Sequence, residues 1–459
     1  MNRVTKVHQL VISNANNKLI LFFIDTVLSI RILPFLVRQS IQLIATMSQF
    51  AHGISSVSWS SLSDPNTSQN SSKLWLLGDC YSPQDFDNFD SMKDAYHDAF
   101  ESILWYTYRR DFETMVPYDF TSDAGWGCML RSAQMLLSEA FKRNMLGIKW
   151  KIPARSEDLE LPKVYVKLLK WFVDSFDTEC KYSIHNITRI GMQYDKLPGE
   201  WYGPTTAAQA LRDLVNLHAQ ESPECNLVMY VPQDGVVYTK DVNELCISHL
   251  DQENTFVNVN EETQSDGTFP DPLLHPPTDR DNSEKMWQKS LLILIPLRLG
   301  LDSINPRYLP AIQRVFEFPQ NVGIIGGKKG HSVYFVGTFD SKLQLLDPHD
   351  IHPTADLNTA FPTATHLRTV HSRLPLEMSL GSIDPSLALG FYCSDRKDYL
   401  DFVDRVDRVQ SELGGALPFS IAKARPNYDL TNILHTMSDC CLSDDCGTEE
   451  VQEDEYVLL

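Results

Sequence analysis

The chain has 459 residues, of which 43% are hydrophobic, and this is enough apolar material for an extensive core. The formal net charge is −20 at pH 7, from 60 acidic and 40 basic residues. Because nucleic-acid binding needs clustered Lys and Arg, this balance excludes a typical nucleic-acid partner. The nine cysteines follow no regular spacing, which favours reduced thiols and a cytoplasmic protein over a disulfide framework.

The first fifty residues differ in composition from the rest of the chain. Asp25 is their only acidic residue, and the stretch 19–37 is rich in Leu, Ile, Phe and Val. Asp25, Arg31 and Pro34 disfavour a membrane-spanning helix, since charges at mid-bilayer are costly. Two interpretations stay open: a leader that associates with a membrane or with mitochondria, or an extension ahead of a native start at Met47.

Composition divides the chain into three parts. The Ser- and Asn-rich stretch 51–71 is typical of a linker, so we expect a leader and linker over 1–72 that are disordered or serve targeting. One folded domain is predicted over 73–435. Inside it, the polar and acidic stretch 243–285 is too long for an ordinary loop and is predicted to be a disordered insertion. An acidic tail follows over 436–459.

The spacing of apolar residues predicts the main elements of the folded domain. Helical periodicity predicts helices over Met92–Arg110, Met129–Met145, Val164–Phe172, Thr205–His218 and Asp398–Leu413. Strand-like runs lie at 291–300, 321–327, 332–339 and 342–349. These runs follow one another at turn-sized intervals, so we expect them to be neighbours in an antiparallel sheet. The order of helices first and strands later predicts an α+β fold.

The stretch TSDAGWGCML, residues 121–130, places Cys128 at or just before the start of a predicted helix. A helix N-terminus with a nearby imidazolium lowers the pKa of a thiol, as a cysteine nucleophile requires. Gly125 and Gly127 leave the backbone around this cysteine open to a substrate chain. The alternative is a packing role, because free cysteine is among the most buried residue types.

The stretch LQLLDPHDIHP, residues 343–353, places Asp347 and His349 on one face of a strand. The carboxylate can accept a hydrogen bond from one ring nitrogen and leave the other nitrogen for a thiol. A turn with a surface histidine is the commoner use of Asp-Pro-His. Asp347, His349 and His352 could also ligate a metal, but no nearby Glu or Cys completes a site, so we predict catalysis without a metal.

Two other chemistries are excluded by spacing. A phosphatase-type cysteine loop needs an arginine six residues after the cysteine, and Gln134 stands there. The glycine-rich stretch 323–331 has no Ser or Thr after a correctly spaced Gly-Lys, so it is not a nucleotide-binding P-loop. This stretch is either a flexible loop that covers a cleft or a plain hairpin.

The chain carries five segments in a fixed order: TSDAGWGCMLRSAQM at 121–135, GEWYGPTTAAQAL at 199–211, NVGIIGGKKGHSVYFVG at 321–337, LLDPH at 345–349 and DPSLALGFYC at 384–393. Together these segments resemble the autophagin family, the autophagy-related cysteine proteases that process ubiquitin-like modifiers of the GABARAP type. The resemblance extends over about 73–426, and five motifs in order make it specific.

The resemblance implies a papain-like α+β fold with a small helical extension around 164–218. It implies that Cys128 is the nucleophile, His349 the general base and Asp347 the carboxylate that orients the base. It further implies that Tyr108, twenty residues before the cysteine, serves the oxyanion hole.

Substrate-binding residues are also implied by the resemblance. Trp201 would lie over the C-terminal glycine of the substrate and restrict the site to glycine. A mobile loop beside it would correspond to Lys328–His331, and Gly326, Gly327, Lys328 and Lys329 would contact the substrate. The family often has a proline after Gly-Gly-Lys, and Lys329 stands there in this chain, so we expect looser gating.

The implied reaction is cleavage after the C-terminal glycine of autophagy modifiers, in precursors and in conjugates with phosphatidylethanolamine. We further expect a monomer that needs no cofactor. The insertion and the ending EDEYVLL look most like the larger C/D-like branch, whose members can be weakly active or autoinhibited. In that ending, Tyr456 and Leu459 resemble a modifier-interacting motif that adds to a sheet edge as an extended peptide.

Two rival functions stay open from the sequence. The first is a binding module that holds modifiers without turning them over. The second is another papain-like hydrolase, such as a deubiquitinase, because ubiquitin also ends in glycine. The set of Cys128, Asp347 and His349 disfavours the first rival, and the five-segment resemblance disfavours the second.

Overall fold

The computed structural model describes residues 52–57, 59, 73–153, 161–247, 287–358 and 360–426. The predicted leader over the first fifty residues, the insertion from 248 to 286, and the tail with Tyr456 and Leu459 lie outside the described residues. Within the described ranges, no helix is both long and apolar enough to cross a membrane. The six described cysteines are free thiols: Cys80, Cys128, Cys180, Cys225, Cys246 and Cys393.

Helices and strands are interspersed along the chain. The helices are α1 Phe89–Glu101, α2 Cys128–Leu146, α3 Lys163–Trp171, α4 Ile184–Gly191, α5 Pro204–Glu221, α6 Thr239–Cys246, α7 Leu309–Val315, α8 Ala364–Arg368 and α9 Arg396–Glu412. The first strands are β1 Ile54–Ser56, β2 Leu74–Leu76, β3 Asp79–Tyr81, β4 Tyr108–Met115, β5 Phe120–Ser122, β6 Leu227–Tyr230 and β7 Val236–Tyr238. The later strands are β8 Ser290–Arg298, β9 Asn321–Lys328, β10 His331–Phe339, β11 Lys342–Leu346, β12 Ile351–Pro353, β13 Leu376–Ser379, β14 Ser386–Cys393 and β15 Ser420–Ala422.

A ten-stranded sheet forms the centre of the fold. Its main path runs β1-β13-β11-β10-β9-β14-β8-β6, with β2 paired to β10 and β3 paired to β2. The buried runs of Leu, Ile, Val and Phe in β8, β9, β10 and β14 explain their central position, because a strand buried on both faces is apolar throughout. This arrangement confirms the predicted α+β class.

Helix α2 packs against the sheet and is buried over most of its length. The fit is close where Leu136 meets Gly390 of β14, because a Cβ atom added at that glycine would lie 2.8 Å from Leu136 Cδ1. A second small sheet, with the order β12-β4-β5, lies next to the start of this helix in the chain. The long helix is therefore fixed between the main sheet and the segments that flank its first residue.

Four of the five predicted helices are confirmed with shifts of a few residues at their ends. The helix predicted over Met92–Arg110 is wrong in its second half: α1 ends at Glu101, and Tyr108 begins β4. Hydrogen bonds from distant segments replace the helical ones here. Trp105 N–H donates to the Val370 carbonyl at 2.9 Å, and Tyr108 N–H donates to the Pro348 carbonyl at 2.9 Å. Sequence periodicity cannot detect such partners, because they lie more than 200 residues away.

The predicted strands are present, but their neighbours differ from the prediction. Strands β9, β10 and β11 are consecutive antiparallel neighbours, as expected. Strand β8 is not next to β9, because β14 lies between them and pairs with both. The late strand can occupy this central position because its residues Leu387–Cys393 are all buried and apolar.

Two boundary predictions also need correction. The linker predicted over 51–71 contains β1, whose residues pair with β13. The insertion predicted over 243–285 overlaps α6, which extends to Cys246 and buries Val242 and Cys246. In both cases a few apolar residues inside a polar stretch are enough to attach the backbone to the fold.

A buried ion network joins α2 to the helical extension. The Arg131 guanidinium donates to both carboxylate oxygens of Asp123, at 2.8 and 2.9 Å, and to Asp174 Oδ1 at 3.1 Å. The side chains of all three residues are at most 2% exposed. Asp174 Oδ1 also accepts the backbone N–H of Ile184 at the start of α4. Burial lowers the pKa of Arg131, but the two carboxylates outweigh it and raise the pKa, so the guanidinium stays charged.

We expect Arg131→Met to lower the free energy of unfolding by about 3–5 kcal/mol, because Asp123 and Asp174 would keep buried carboxylates without their cation. Urea denaturation measures the change. Arg405→Met is the matched control, since the Arg405–Asp401 pair is exposed and should contribute about 0.5 kcal/mol or less. Equal stability of the two variants would contradict the role of the network.

Candidate active site

Cys128 is the first residue of α2 and is 1% exposed. The turn before it is tight, because the Asp123 carbonyl accepts the N–H groups of both Trp126 and Gly127, at 3.2 and 2.9 Å. Only glycine fits at position 127, since an added Cβ would lie 2.2 Å from the Asp123 carboxylate. Gly125 has a φ of +88°, which also favours glycine. The turn aims the thiol from the helix N-terminus, where the backbone dipole stabilises a thiolate.

Asp347 and His349 do not lie on the predicted strand, because β11 ends at Leu346; they follow it and lie against each other. Asp347 Oδ1 accepts a hydrogen bond from His349 Nδ1 at 2.5 Å and another from the His349 backbone N–H at 3.1 Å. The carboxylate is 5% exposed. The hydrogen bond leaves the other ring nitrogen, Nε2, for a different partner, as the predicted arrangement requires.

Cys128 and His349 perturb each other. Burial raises the pKa of the Cys128 thiol, but the hydrogen bond and positive charge of His349, the Ser332 backbone and Tyr108 outweigh it and lower the pKa. Burial lowers the pKa of His349, but its interactions with Asp347 and Cys128 raise it to about 9. Among the described residues His349 Nε2 makes no hydrogen bond of standard geometry, and catalytic hydrogen bonds often tighten only when substrate binds. Together the shifts favour a thiolate and an imidazolium at neutral pH.

Tyr108 also reaches this pair, although it lies on β4 and not on the predicted helix. Its ring centroid is 5.3 Å from that of His349, at an interplanar angle of 85°. Its hydroxyl interacts with Cys128 and with the Gly125 backbone. Burial, followed by Cys128, raises the pKa of Tyr108, so the hydroxyl stays protonated and can donate. A protonated donor beside the thiol can stabilise a developing oxyanion.

The glycine-rich segment is a hairpin. Gly326, Gly327 and Lys328 end β9, and a two-residue loop of Lys329 and Gly330 leads into β10. Gly326 and Gly327 are buried, whereas Lys329 is exposed. Whether this hairpin also moves to cover a cleft stays a prediction. The strand that follows it brings the Ser332 backbone to the Cys128 thiol.

Trp201 lies in the loop before α5 and is 41% exposed. This loop packs near the cysteine turn, because an added Cβ at Gly199 would lie 2.3 Å from the Phe120 ring. Phe120 in turn contacts Trp126, with ring centroids 5.6 Å apart. Trp201 is therefore a large apolar side chain left open to solvent, and it lies two residues after Gly199, which packs against the β5–α2 region.

Sequence reasoning included His331 only as the end of the mobile loop and missed its contact with His349. His331, the first residue of β10, stacks on His349 with centroids 3.7 Å apart and planes at 3°. Its other neighbour is His52, stacked at 3.9 Å and 14°. The one available signal was the position of His331 directly after the glycine-rich loop. Nothing in the local sequence links these three histidines, because the sheet brings them together from distant segments.

Three side chains at the site are also of the types that ligate metals. His331, Asp347 and His349 offer ligand atoms within 4.8 Å of one another. A metal-bound imidazole holds the ion in its ring plane, and one ion cannot lie in the planes of two parallel stacked rings. His352 packs instead against Trp105, with centroids 5.8 Å apart. The observed geometry therefore suits proton transfer better than metal binding.

We expect Cys128 to react with iodoacetamide faster than Cys80 at pH 6–7, although Cys128 is the more buried thiol. The reason is that the pKa of Cys128 is lowered, whereas burial raises the pKa of Cys80. Asp347→Asn should lower the pKa of His349, raise the pKa of Cys128 and slow its alkylation about tenfold for each pKa unit. Mass spectrometry of the alkylated peptides against pH measures both effects. Faster reaction of Cys80 in the wild type would contradict the thiolate at position 128.

The chain is similar to known cysteine proteases. A model of the Peptidase C54 catalytic domain matches residues 93–405. The cysteine protease ATG4B of Oryza sativa subsp. indica is 33% identical over 404 residues, which cover 85% of this chain and 79% of the relative. The cysteine protease ATG4A of Mus musculus is 35% identical over 303 residues, 64% of this chain and 69% of the relative. The chain therefore belongs to the peptidase C54 family and is a papain-like cysteine endopeptidase.

Proposed function

We propose that this endopeptidase cleaves ubiquitin-like autophagy modifiers of the GABARAP type after their C-terminal glycine. The observation that carries the proposal is the pairing of a thiol of lowered pKa, Cys128, with an imidazole of raised pKa, His349. The substrate class rests on the five sequence segments that resemble the autophagin family. The two relatives described above are cysteine proteases, which supports the reaction class.

In this proposal Cys128 is the nucleophile, His349 the general base and acid, and Asp347 the residue that orients His349. The Cys128 thiolate attacks the glycine carbonyl carbon and forms a tetrahedral intermediate. His349 Nε2 gives its proton to the leaving amine, the C–N bond breaks, and a thioester stays on the sulfur. Water, deprotonated by the now neutral His349, attacks the thioester, and the Cys128 thiolate leaves with release of the glycine carboxylate.

The oxyanion of both intermediates needs donors. We assign this role to the Tyr108 hydroxyl and to the Cys128 backbone N–H, which has no intrahelical acceptor at the first position of α2. The hydroxyl interacts with Cys128, so it needs little movement to reach the carbonyl oxygen. One such donor often contributes about 3–4 kcal/mol to transition-state stabilisation.

Selectivity for glycine is assigned to the surface around Trp201. Its half-exposed indole offers a flat apolar surface in a loop that packs through Gly199 against Phe120, close in the chain to the turn that precedes α2. A side chain on the residue before the scissile bond would collide with such a surface, whereas glycine would pass. Gly326, Gly327, Lys328 and Lys329 are proposed as the neighbouring substrate contacts on the β9–β10 hairpin.

The same chemistry extends to modifiers attached to phosphatidylethanolamine. There the glycine carbonyl is bonded to the amine of the lipid headgroup, so the bond cleaved is again an amide, and His349 again protonates an amine. We therefore propose that the chain also releases modifiers from membranes.

We expect Cys128→Ala to abolish cleavage of a GABARAP-type modifier extended beyond its glycine, while binding of that modifier is retained. Cys80→Ala is the matched control and should cleave at the wild-type rate, because Cys80 lies on β3 outside the site. Gel analysis of the product and mass spectrometry of the new C-terminus give the rate and the cleavage position.

Three results of that assay would contradict the proposal. Cleavage by Cys128→Ala would exclude Cys128 as the nucleophile. Binding without cleavage by the wild type would indicate a modifier-binding protein. Faster cleavage of an extended ubiquitin than of the modifier would indicate a deubiquitinase.

A further proposal concerns Tyr456 and Leu459, which lie outside the described residues. Two apolar side chains three positions apart after acidic residues are typical of a peptide that adds to a sheet edge. We expect deletion of 455–459 to weaken binding of the modifier, measured by calorimetry with Cys128→Ala, without changing the alkylation rate of Cys128 in the wild-type background. Unchanged affinity would contradict a role for this motif.

A further inference from the structure

Three imidazole rings form a continuous stack at the candidate active site. His331 is in the middle, with His349 on one side at 3.7 Å and His52 on the other at 3.9 Å. The His331–His349 planes differ by only 3°. His331 is 3% exposed, so its ring meets the His349 ring without solvent between them. The mechanism above gives His331 no role.

Stacking is the contact that His331 makes with the catalytic pair. Its Nε2 lies 4.0 Å from Asp347 Oδ2, which is beyond hydrogen-bonding distance. Nε2 has no hydrogen-bond partner among the described residues. His331 therefore meets the Asp347–His349 pair chiefly through the flat face of its ring.

The backbone around the hairpin fixes the position of this ring. His331 pairs with Lys328 across the two-residue loop. Gly327 approaches the His331 backbone so closely that an added Cβ would lie 2.1 Å from the His331 carbonyl oxygen. The next residue, Ser332, donates its side-chain hydroxyl to the Gly326 carbonyl at 3.0 Å. The ring is thus carried by a paired and buried strand end.

Burial and the positive charges around His331 keep it neutral, and Asp347 acts in the opposite direction. The charged and titratable groups around it are His349 and Asp347 after β11, His52 before β1, and Lys328 on β9. Burial, followed by the positive charge of His349, lowers the pKa of His331 to about 3. At neutral pH the stacked pair of His331 and His349 therefore carries one positive charge, on His349. A neutral aromatic face is a favourable neighbour for a cationic ring.

We propose that His331 is a positioning residue for His349, whose ring it holds against tilting about the hydrogen bond to Asp347. The hydrogen bond to Asp347 fixes one ring nitrogen, and the Tyr108 ring contacts the His349 ring at 85°. Neither contact lies flat against the His349 ring, so both leave it some freedom to tilt. A parallel ring at van der Waals distance removes this freedom and keeps Nε2 available to Cys128. The inference rests on the proposed pairing of Cys128 with His349.

Two variants of similar size separate the flat ring from other properties of His331. His331→Phe keeps a flat aromatic face and removes both nitrogens, whereas His331→Leu fills the space without a flat face. The full chain is used, and circular dichroism confirms folding. His331→Met replaces the Leu variant if the latter does not fold. The readouts are kcat and KM for an extended GABARAP-type modifier, and the pH dependence of Cys128 alkylation.

We expect His331→Leu to lower kcat about tenfold or more with little change in KM, because misorientation of a catalytic group acts on the chemical step. Alkylation of Cys128 should shift to higher pH in the same variant. His331→Phe should restore most of both properties. Wild-type behaviour of the Leu variant, or equal loss in both variants, would overturn the inference. If the wild type fails to cleave the modifier, the substrate proposal fails, and the alkylation profiles still decide the role of His331.

Discussion

The buried contact between Arg131 and the carboxylates of Asp123 and Asp174 is the constraint on which the site depends. Asp123 belongs to the turn that precedes Cys128, Arg131 lies one helical turn further along α2, and Asp174 contacts the start of α4. One guanidinium thus fixes the cysteine turn, the helix and the helical extension relative to one another. Because the charges are removed from water, the network is stable only when all its members are present.

The main sheet supplies the other half of the site. Asp347 and His349 follow β11, and the start of β10 places His331 on His349 and the Ser332 backbone against Cys128. A thiol from a helix N-terminus and an imidazole from a strand end therefore meet where α2 packs on the sheet. Their mutual electrostatic stabilisation offsets the cost of burying them. The activity of the pair then follows from the packing of two elements and not from one local motif.

Much of this arrangement is predictable from local sequence. The glycines before Cys128 and the apolar period after it predict a cysteine at a helix start, and the structure has α2 begin at Cys128. The Asp-Pro-His spacing predicts a carboxylate next to an imidazole, and Asp347 contacts His349. Both features depend on residues within a few positions of one another.

The parts that were not predicted depend on distant partners. Tyr108 continues a helical period in the sequence, yet it lies on a strand. Its N–H donates to the Pro348 carbonyl, and β4, which it begins, pairs with β12. The place of β14 between β8 and β9 is set by a pairing that chain order does not reveal. The stack of His52, His331 and His349 joins three segments that are up to 297 residues apart in the sequence. Local periodicity carries no information on such contacts.

The charge state of His349 is the most direct test of the account. Nuclear magnetic resonance of histidine-labelled protein, with the His349 signal assigned by its loss in His349→Gln, would give the pKa of this ring. The account predicts a midpoint of about 9 in the wild type and a lower one in Cys128→Ala, where the thiolate is absent. A midpoint near 6.5, the ordinary value for histidine, and unchanged by Cys128→Ala, would contradict the thiolate–imidazolium pair.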